Sequence, residues 1–194
     1  MIAPIFYSLF VHTPSKNNFV VSAGERVPGF NYHEIMIPIM RAEKILDTPV
    51  EVAIKNTKHV DMMYGLDSFY LSERTLKIFQ DAGFSGWSTF PIEVKRPAQW
   101  TKKYLGLSIT GRCGNAVGTG VDVDQWDGSD FSTFSRGYSV VVTEKVISAL
   151  QAENITGVAW EKIPAIKDGE WLYDLKERPK VFGIKINPPS KKDG

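Results

Sequence analysis

The sequence predicts an α+β fold: a mixed, largely antiparallel sheet with a few helices and two similar strand-helix-strand units. Three observations predict it. Short apolar runs rich in β-branched and aromatic residues recur between turn residues along the 194-residue chain. Two segments with the apolar spacing of a helix each follow such a run. These two segments align with each other at an offset of 71 residues.

The candidate strands follow one another in chain order, each an apolar run bounded by turn residues. They are Pro4–Val11, Phe19–Ser22, Val50–Ile54, Ser68–Leu71, Trp87–Val94, Tyr104–Thr110, Tyr138–Val142, Val158–Ile163 and Val181–Ile186. The segment Tyr32–Leu46 is ambiguous, because residues 33–37 suit a strand that Pro38 would break, whereas residues 39–46 have helical composition. A short helix is expected over Glu170–Glu177, ending before Pro179.

The internal repeat places Leu71–Gly86 over Val142–Gly157. In each copy a strand runs into a hydroxyl residue, Ser72 or Thr143, which we expect to cap the helix by accepting a bond from a free backbone N–H. A glutamate follows in the first turn, where the helix dipole favours a carboxylate.

The ends of the two predicted helices also correspond. Gly83 and Asn154 stand where each helix should end, because these residue types best tolerate the left-handed position after a helix. An internal duplication explains the repeat, and so does convergence of two unrelated segments on the same cap and apolar face. In either case the repeat indicates scaffold rather than chemistry.

Length and composition indicate one globular domain. A chain of 194 residues, 43% of them hydrophobic, is long enough to bury a core. We expect a single domain over residues 1–188, with residues 1–60 as a candidate N-terminal lobe, related units at 66–94 and 138–163, and a frayed tail at 189–194.

The charges are nearly balanced, with 23 basic and 22 acidic side chains, so global charge attracts neither nucleic acid nor an anionic membrane. The single cysteine, Cys113, excludes an intramolecular disulfide and favours a reducing compartment. The apolar N-terminus lacks the basic region of a signal peptide, and no apolar run reaches the roughly 18 residues that span a bilayer. We therefore expect a cytoplasmic protein that contacts neither a membrane nor nucleic acid.

The stretch between the two copies, residues 95–137, is unusual in composition. A basic stretch around Trp100 comes first, a glycine-rich turn over Gly111–Gly120 follows, and an acidic segment, Val121–Phe131, comes last. Long connections in compact domains often carry function. We therefore expect any functional site of this chain to lie in this stretch.

The acidic segment supplies the candidate partner-binding residues. They are Asp122, Asp124, Trp126, Asp127, Asp130 and Phe131. An EF-hand calcium loop is disfavoured, because Asp127 and Thr133 stand where that loop needs glycine and glutamate. Two interpretations stay open: a turn whose aspartates accept hydrogen bonds from local N–H groups, and an acidic surface with aromatic anchors for a basic partner. We expect no metal and no cofactor.

Other chemistry in this stretch has weaker signals. Four basic residues around Trp100 could bind single-stranded nucleic acid, but a solvated strand edge explains them as well. The glycine-rich turn lacks the Gly-Lys-Ser/Thr ending of a P-loop, and no recognisable base lies near Cys113 in the sequence. We assign no catalytic residue and favour a function other than catalysis, although a spatial triad would leave no motif.

Two stretches resemble small bacterial proteins encoded in polymorphic-toxin loci. Phe69–Val94 has their strand, Ser-Glu-Arg helix start, Ala-Gly-Phe-Ser-Gly turn and aromatic-Pro strand. Trp126–Phe131 has their Trp-Asp-Gly-Ser-Asp-Phe loop, and a strand and a second helix start, Thr143–Lys145, follow it. The resemblance covers roughly residues 66–163, with its parts in the same order.

Those proteins are grouped as immunity-type proteins. The resemblance implies a protein that binds and neutralises a cognate bacterial toxin by protein–protein interaction, without cofactor or catalysis. It assigns no toxin-contacting residue. The alternative is a small hydrolase or transferase with its site in residues 111–130.

Overall fold

The computed structural model describes residues 4–11, 19–22, 32–46, 48–55, 60–96, 102–115, 120–135, 139–168 and 170–172. These residues form the predicted α+β fold, with three helices and fifteen strands in three mixed, mainly antiparallel sheets. The helices are α1 (Tyr32–Met40), α2 (Glu73–Asp81) and α3 (Glu144–Ala152). The strands are β1 (Phe6–Val11), β2 (Phe19–Ser22), β3 (Val50–Lys55), β4 (Met62–Gly65), β5 (Ser68–Ser72), β6 (Trp87–Phe90), β7 (Ile92–Arg96), β8 (Tyr104–Ile109), β9 (Gly111–Arg112), β10 (Val121–Asp122), β11 (Phe131–Thr133), β12 (Val140–Thr143), β13 (Val158–Ile163), β14 (Ala165–Lys167) and β15 (Glu170–Trp171).

The predicted strands within the described residues are all present, although Pro91 divides the fifth of them into β6 and β7. The predicted helix starting at Glu170 is wrong at its beginning, because residues 170–171 form β15 and pair with β14. The predicted strand Val181–Ile186 and the tail 189–194 lie outside the described residues.

The ambiguous segment forms one helix, α1, with Pro38 inside it. A proline within a helix costs about 3 kcal/mol. Met36, Ile39 and Met40 are all buried, and burying each such side chain contributes roughly 1.5–3 kcal/mol. Packing therefore outweighs the proline. The possible strand over residues 33–37 is wrong, and the helical composition of residues 39–46 is confirmed only for residues 39–40, where α1 ends.

The chain is built from two corresponding halves. The order β1–β5, α2, β6, β7 matches the order β8–β12, α3, β13, β14, and α1 has no counterpart among the described residues. In each half the helix joins two strands that enclose the first strand of the other half. Strand β8 lies between β5 and β6, and β1 lies between β12 and β13, antiparallel to both neighbours in each case. The two halves therefore exchange their first strands.

The pairing registers agree between the halves. Gly106 of β8 lies opposite Tyr70 and Phe90, and Ser8 of β1 lies opposite the residues 71 positions further along. Strands β2 and β4 pair in parallel, as do β9 and β11, and the parallel pairs β3–β7 and β10–β14 also correspond. This agreement favours an internal duplication over convergence of two short segments.

The main hydrophobic core lies where the halves meet. Phe79 of α2 and Leu150 of α3 are buried in the same cluster, and Phe131 of β11 packs on Phe79 with ring centroids 4.8 Å apart. The described part of residues 1–60 is not a separate lobe, because β1 belongs to the five-stranded sheet and β2 and β3 to the seven-stranded one.

The helix ends follow the repeat, with one exception. Gly83 and Asn154 have φ angles of 63° and 51°, which confirms the left-handed ends. Ser72 caps α2 by accepting a hydrogen bond from the Thr75 N–H at 3.3 Å. The same prediction for Thr143 is wrong, because its side chain makes no cap bond to α3.

Candidate functional site

Asp130 of the acidic segment joins the two halves. Its carboxylate accepts hydrogen bonds from the backbone N–H and the hydroxyl of Ser85, at 3.0 and 3.2 Å. It also accepts from the hydroxyl of Thr143 at 3.1 Å, so that hydroxyl is directed toward Asp130 and makes no cap bond to α3. Lys145 lies 3.5 Å from the same carboxylate. Asp130 thus holds the end of α2 against the start of β11.

Asp61 makes the corresponding contacts in the other direction, except that it accepts no hydrogen bond from the Ser72 hydroxyl. Its carboxylate accepts from the backbone N–H and hydroxyl of Thr156, at 3.0 and 2.8 Å, and pairs with Arg74 at 3.3 Å. We call these two sets of contacts, Asp130 with Ser85 and Asp61 with Thr156, the clasp. Because each half supplies one aspartate and one hydroxyl residue, the clasp is reciprocal.

Sequence reasoning missed Asp61, although a signal for it exists. Asp61 lies eleven residues before Ser72, and Asp130 lies thirteen residues before Thr143. A comparison of the two copies that allowed an insertion of two residues would have aligned the two aspartates.

The two aromatic residues of the acidic segment pack inward. Phe131 is fully buried between the halves, so its ring is a core residue and is not available to a partner in this structure. Trp126 packs edge-to-face on Phe6, with centroids 5.0 Å apart, and its indole N–H donates to the Ser129 carbonyl at 3.0 Å. We therefore exclude Phe131 from the candidate partner-binding surface.

The other aspartates shape the turn between β10 and β11. Asp122 accepts a hydrogen bond from the Asp124 N–H at 3.0 Å, and Asp127 accepts from the N–H groups of Ser129 and Arg112 at 2.9 and 2.7 Å. Asp124 is exposed and its side chain makes no hydrogen bond or ion pair with the described residues. Capping of local N–H groups thus describes Asp122 and Asp127, whereas Asp130 binds groups distant in sequence. Asp122, Asp124 and Asp127 remain at least partly exposed.

The acidic segment lies away from the cavities found among the described residues. Three cavities lie at the start of α2, beside α1 and beside β6, and neither Asp127 nor Asp130 lines any of them. The described residues also hold no cluster of three or more His, Cys, Asp or Glu side chains that could bind a metal ion.

Cys113 is buried behind the acidic segment. Burial raises the pKa of its thiol to about 11, although a hydrogen bond with Ser132 acts in the opposite direction. At pH 8 only about one thiol in a thousand is then ionised. Because the thiolate is the reactive form of cysteine, this environment disfavours a nucleophilic role.

We expect Cys113 to react at least about 100-fold more slowly with iodoacetamide in the folded protein at pH 8 than in the protein unfolded by urea, because its pKa rises by about two units. The rate, followed by mass spectrometry, should rise as the pH approaches 11. Similar rates in the folded and unfolded protein would show that the thiol is accessible and activated.

The basic stretch begins at a strand edge. Lys95 of β7 pairs with Glu93 at 2.6 Å and with Glu51 of β3 at 3.3 Å, and the bond to Glu93 raises the pKa of Lys95. These contacts fit the solvated strand edge better than a nucleic-acid groove. Trp100 and residues 116–119 of the glycine-rich turn lie outside the described residues.

Comparison with models of known protein families and with curated proteins gives no match for this chain. Within the described residues, no helix has both the length and the apolar character that crossing a membrane requires.

Proposed function

We propose that this chain is an immunity-type protein that binds a cognate bacterial toxin in the cytoplasm and neutralises it by protein–protein interaction. The observation that carries the proposal is the acidic segment, whose own hydrogen bonds hold the turn in one shape while Asp122, Asp124 and Asp127 stay at least partly exposed. The resemblance of residues 66–163 to immunity-type proteins supports the same function.

A preformed acidic turn suits a basic partner. Because the turn is already ordered, binding costs less conformational entropy than ordering a flexible loop would. Fixed carboxylates also accelerate the approach of a basic surface and select its orientation. The partner that fits this chemistry is a toxin with a surface rich in lysine and arginine, such as a nucleic-acid-cleaving one.

The first test is growth rescue. The protein is expressed together with the product of the neighbouring toxin gene, and growth is compared with cells that express the toxin alone. The proposal expects restored growth and a complex that co-purifies from the rescued cells. Unchanged toxicity despite good expression of the folded protein would contradict it.

Replacing Asp124 with lysine tests the surface. The acidic segment should remain folded, since the Asp124 carboxylate makes no hydrogen bond with the described residues. Reversing a rim charge should weaken the purified complex about tenfold at low salt, with a smaller effect at high salt.

The matched control for this variant is Glu51→Lys. Glu51 is an exposed acidic residue on β3, in the seven-stranded sheet, so its reversal makes the same change in net charge. The control should bind the toxin with an affinity within twofold of that of the unsubstituted protein. If Asp124→Lys and Glu51→Lys bind the toxin equally well at every salt concentration, the acidic segment is not the interface.

A further inference from the structure

The cavity at the start of α2 has a volume of about 470 Å³. It lies between the first turn of that helix and the start of β8. The residues that matter for its chemistry are Asp61, Glu73, Arg74, Lys102, Lys103 and Tyr104. The internal duplication allows this place to be compared with its counterpart at the start of α3.

The strand registers define that counterpart. Tyr104 of β8 lies opposite Ser72, just as Phe6 of β1 lies opposite Thr143. Counting back along each strand, the two lysines before Tyr104 of β8 stand where a proline and an isoleucine, residues 4 and 5, precede Phe6 of β1. The place at the start of α2 therefore carries two cations at positions where its counterpart at the start of α3 carries two apolar residues.

Two hydrogen bonds cross the equivalent place, which lies at the start of α3. The Glu144 N–H donates to the Ile5 carbonyl at 3.1 Å, which ties α3 to β1, and the hydroxyl of Thr143 donates to Asp130 at 3.1 Å. Among the described residues, the start of α2 forms neither bond, and the N–H of Glu73 has no acceptor like Ile5. The helix start and the neighbouring strand are therefore not tied together where the cavity lies.

The charges left unpaired at the cavity are mainly positive. The Asp61 carboxylate already accepts a hydrogen bond from the Thr156 hydroxyl and lies 3.3 Å from the guanidinium of Arg74. Lys102 and Lys103 are exposed and form no ion pair within the described part of the chain. Glu73 is the one further acidic residue in the lining, so two free ammonium groups face one free carboxylate.

We propose that this cavity binds a small organic anion through Lys102 and Lys103, with the ring of Tyr104 as an apolar wall. Its volume falls within the range of roughly 300–1,000 Å³ that is usual for small-molecule sites. The chemistry is that of a phosphate or carboxylate group held by two ammonium groups. The proposal does not depend on the neutralisation of a toxin.

The experiment is titration calorimetry of the full chain at low ionic strength with three probes: inorganic phosphate, adenosine monophosphate and citrate. At least one probe should give a saturable isotherm with a dissociation constant of about 1 mM or tighter. Binding of phosphate and adenosine monophosphate without citrate assigns a phosphate site, and binding of citrate alone assigns a carboxylate site.

Three variants locate the binding. Lys102→Gln with Lys103→Gln should weaken the bound probe at least tenfold, whereas Lys44→Gln with Lys167→Gln, which removes two exposed lysines elsewhere, should change it less than twofold. Lys103→Ile introduces the residue that stands at the equivalent position before β1, and it should also weaken binding in a protein that still unfolds cooperatively. Absence of saturable binding for all three probes, or equal weakening by both lysine pairs, would overturn the proposal.

Discussion

Gly157→Ala should lower the free energy of unfolding by more than about 4 kcal/mol or abolish cooperative unfolding. Gly157 has a φ of 89°, and a Cβ atom there would lie 2.0 Å from the Met62 carbonyl oxygen. That oxygen belongs to β4 of the other half, whose backbone cannot withdraw without breaking the contact between the halves. Chemical denaturation followed by fluorescence measures the loss.

Gly128→Ala is the control for this prediction. Gly128 has a φ of 87°, almost the same as that of Gly157, but a Cβ atom there meets no atom within 4 Å. Its replacement should lower the free energy of unfolding by about 1–2 kcal/mol, which is the backbone strain alone. Comparable losses in the two variants would show that the halves do not approach as closely at Gly157 as the structure has them.

Asp130→Ala should lower the free energy of unfolding by about 3 kcal/mol. The variant removes three hydrogen bonds to a carboxylate whose side chain is 15% exposed, and bonds to charged groups contribute roughly 1.5–3 kcal/mol each before solvent screening. Asp61→Ala, which removes the other half of the clasp, should give a loss of similar size. Urea denaturation of the purified variants measures both.

Asp124→Ala provides the comparison within the acidic segment. Its carboxylate makes no hydrogen bond with the described residues, so its removal should change stability by less than about 0.5 kcal/mol. If Asp130→Ala lowers the free energy of unfolding no more than Asp124→Ala does, Asp130 does not join the halves and is a surface residue like Asp124.

The two helices of the repeat could be predicted because their signals are local. A hydroxyl residue, an apolar face and a left-handed end residue act within eleven residues of one another, as Ser72, Phe79 and Gly83 do. The predicted cap at Thr143 does not form because its hydroxyl is directed toward Asp130, thirteen residues earlier, to which it donates a hydrogen bond. A tertiary contact thus replaced a local one that is worth only about 1 kcal/mol.

The exchange of strands could not be predicted. Strands β1 and β8 have the sequences Phe-Tyr-Ser-Leu-Phe-Val and Tyr-Leu-Gly-Leu-Ser-Ile, which share a pattern but little identity. Consecutive strands are usually neighbours in a sheet, so chain order would place β1 beside β2. Its actual neighbours, β12 and β13, lie more than 120 residues away in sequence and are selected by packing between the halves.

The candidate site could be predicted in composition but not in geometry. The sequence shows four aspartates in the acidic segment, yet their roles depend on partners elsewhere, such as Ser85 for Asp130 and the Arg112 N–H for Asp127. The cavity beside Lys102 had no local signal at all. It can be recognised only when the two halves are compared in three dimensions.

The central proposal is that the protein neutralises its toxin by binding to it and catalyses no reaction itself. The most direct measurement titrates a fixed amount of the purified toxin with this protein and follows the remaining toxin activity. If the protein acts by binding, the toxin activity falls in proportion to the added protein and is lost near one molar equivalent. The remaining activity at each ratio does not change with incubation time. Loss of activity at a small fraction of an equivalent, progressing with time, would show turnover and contradict the proposal.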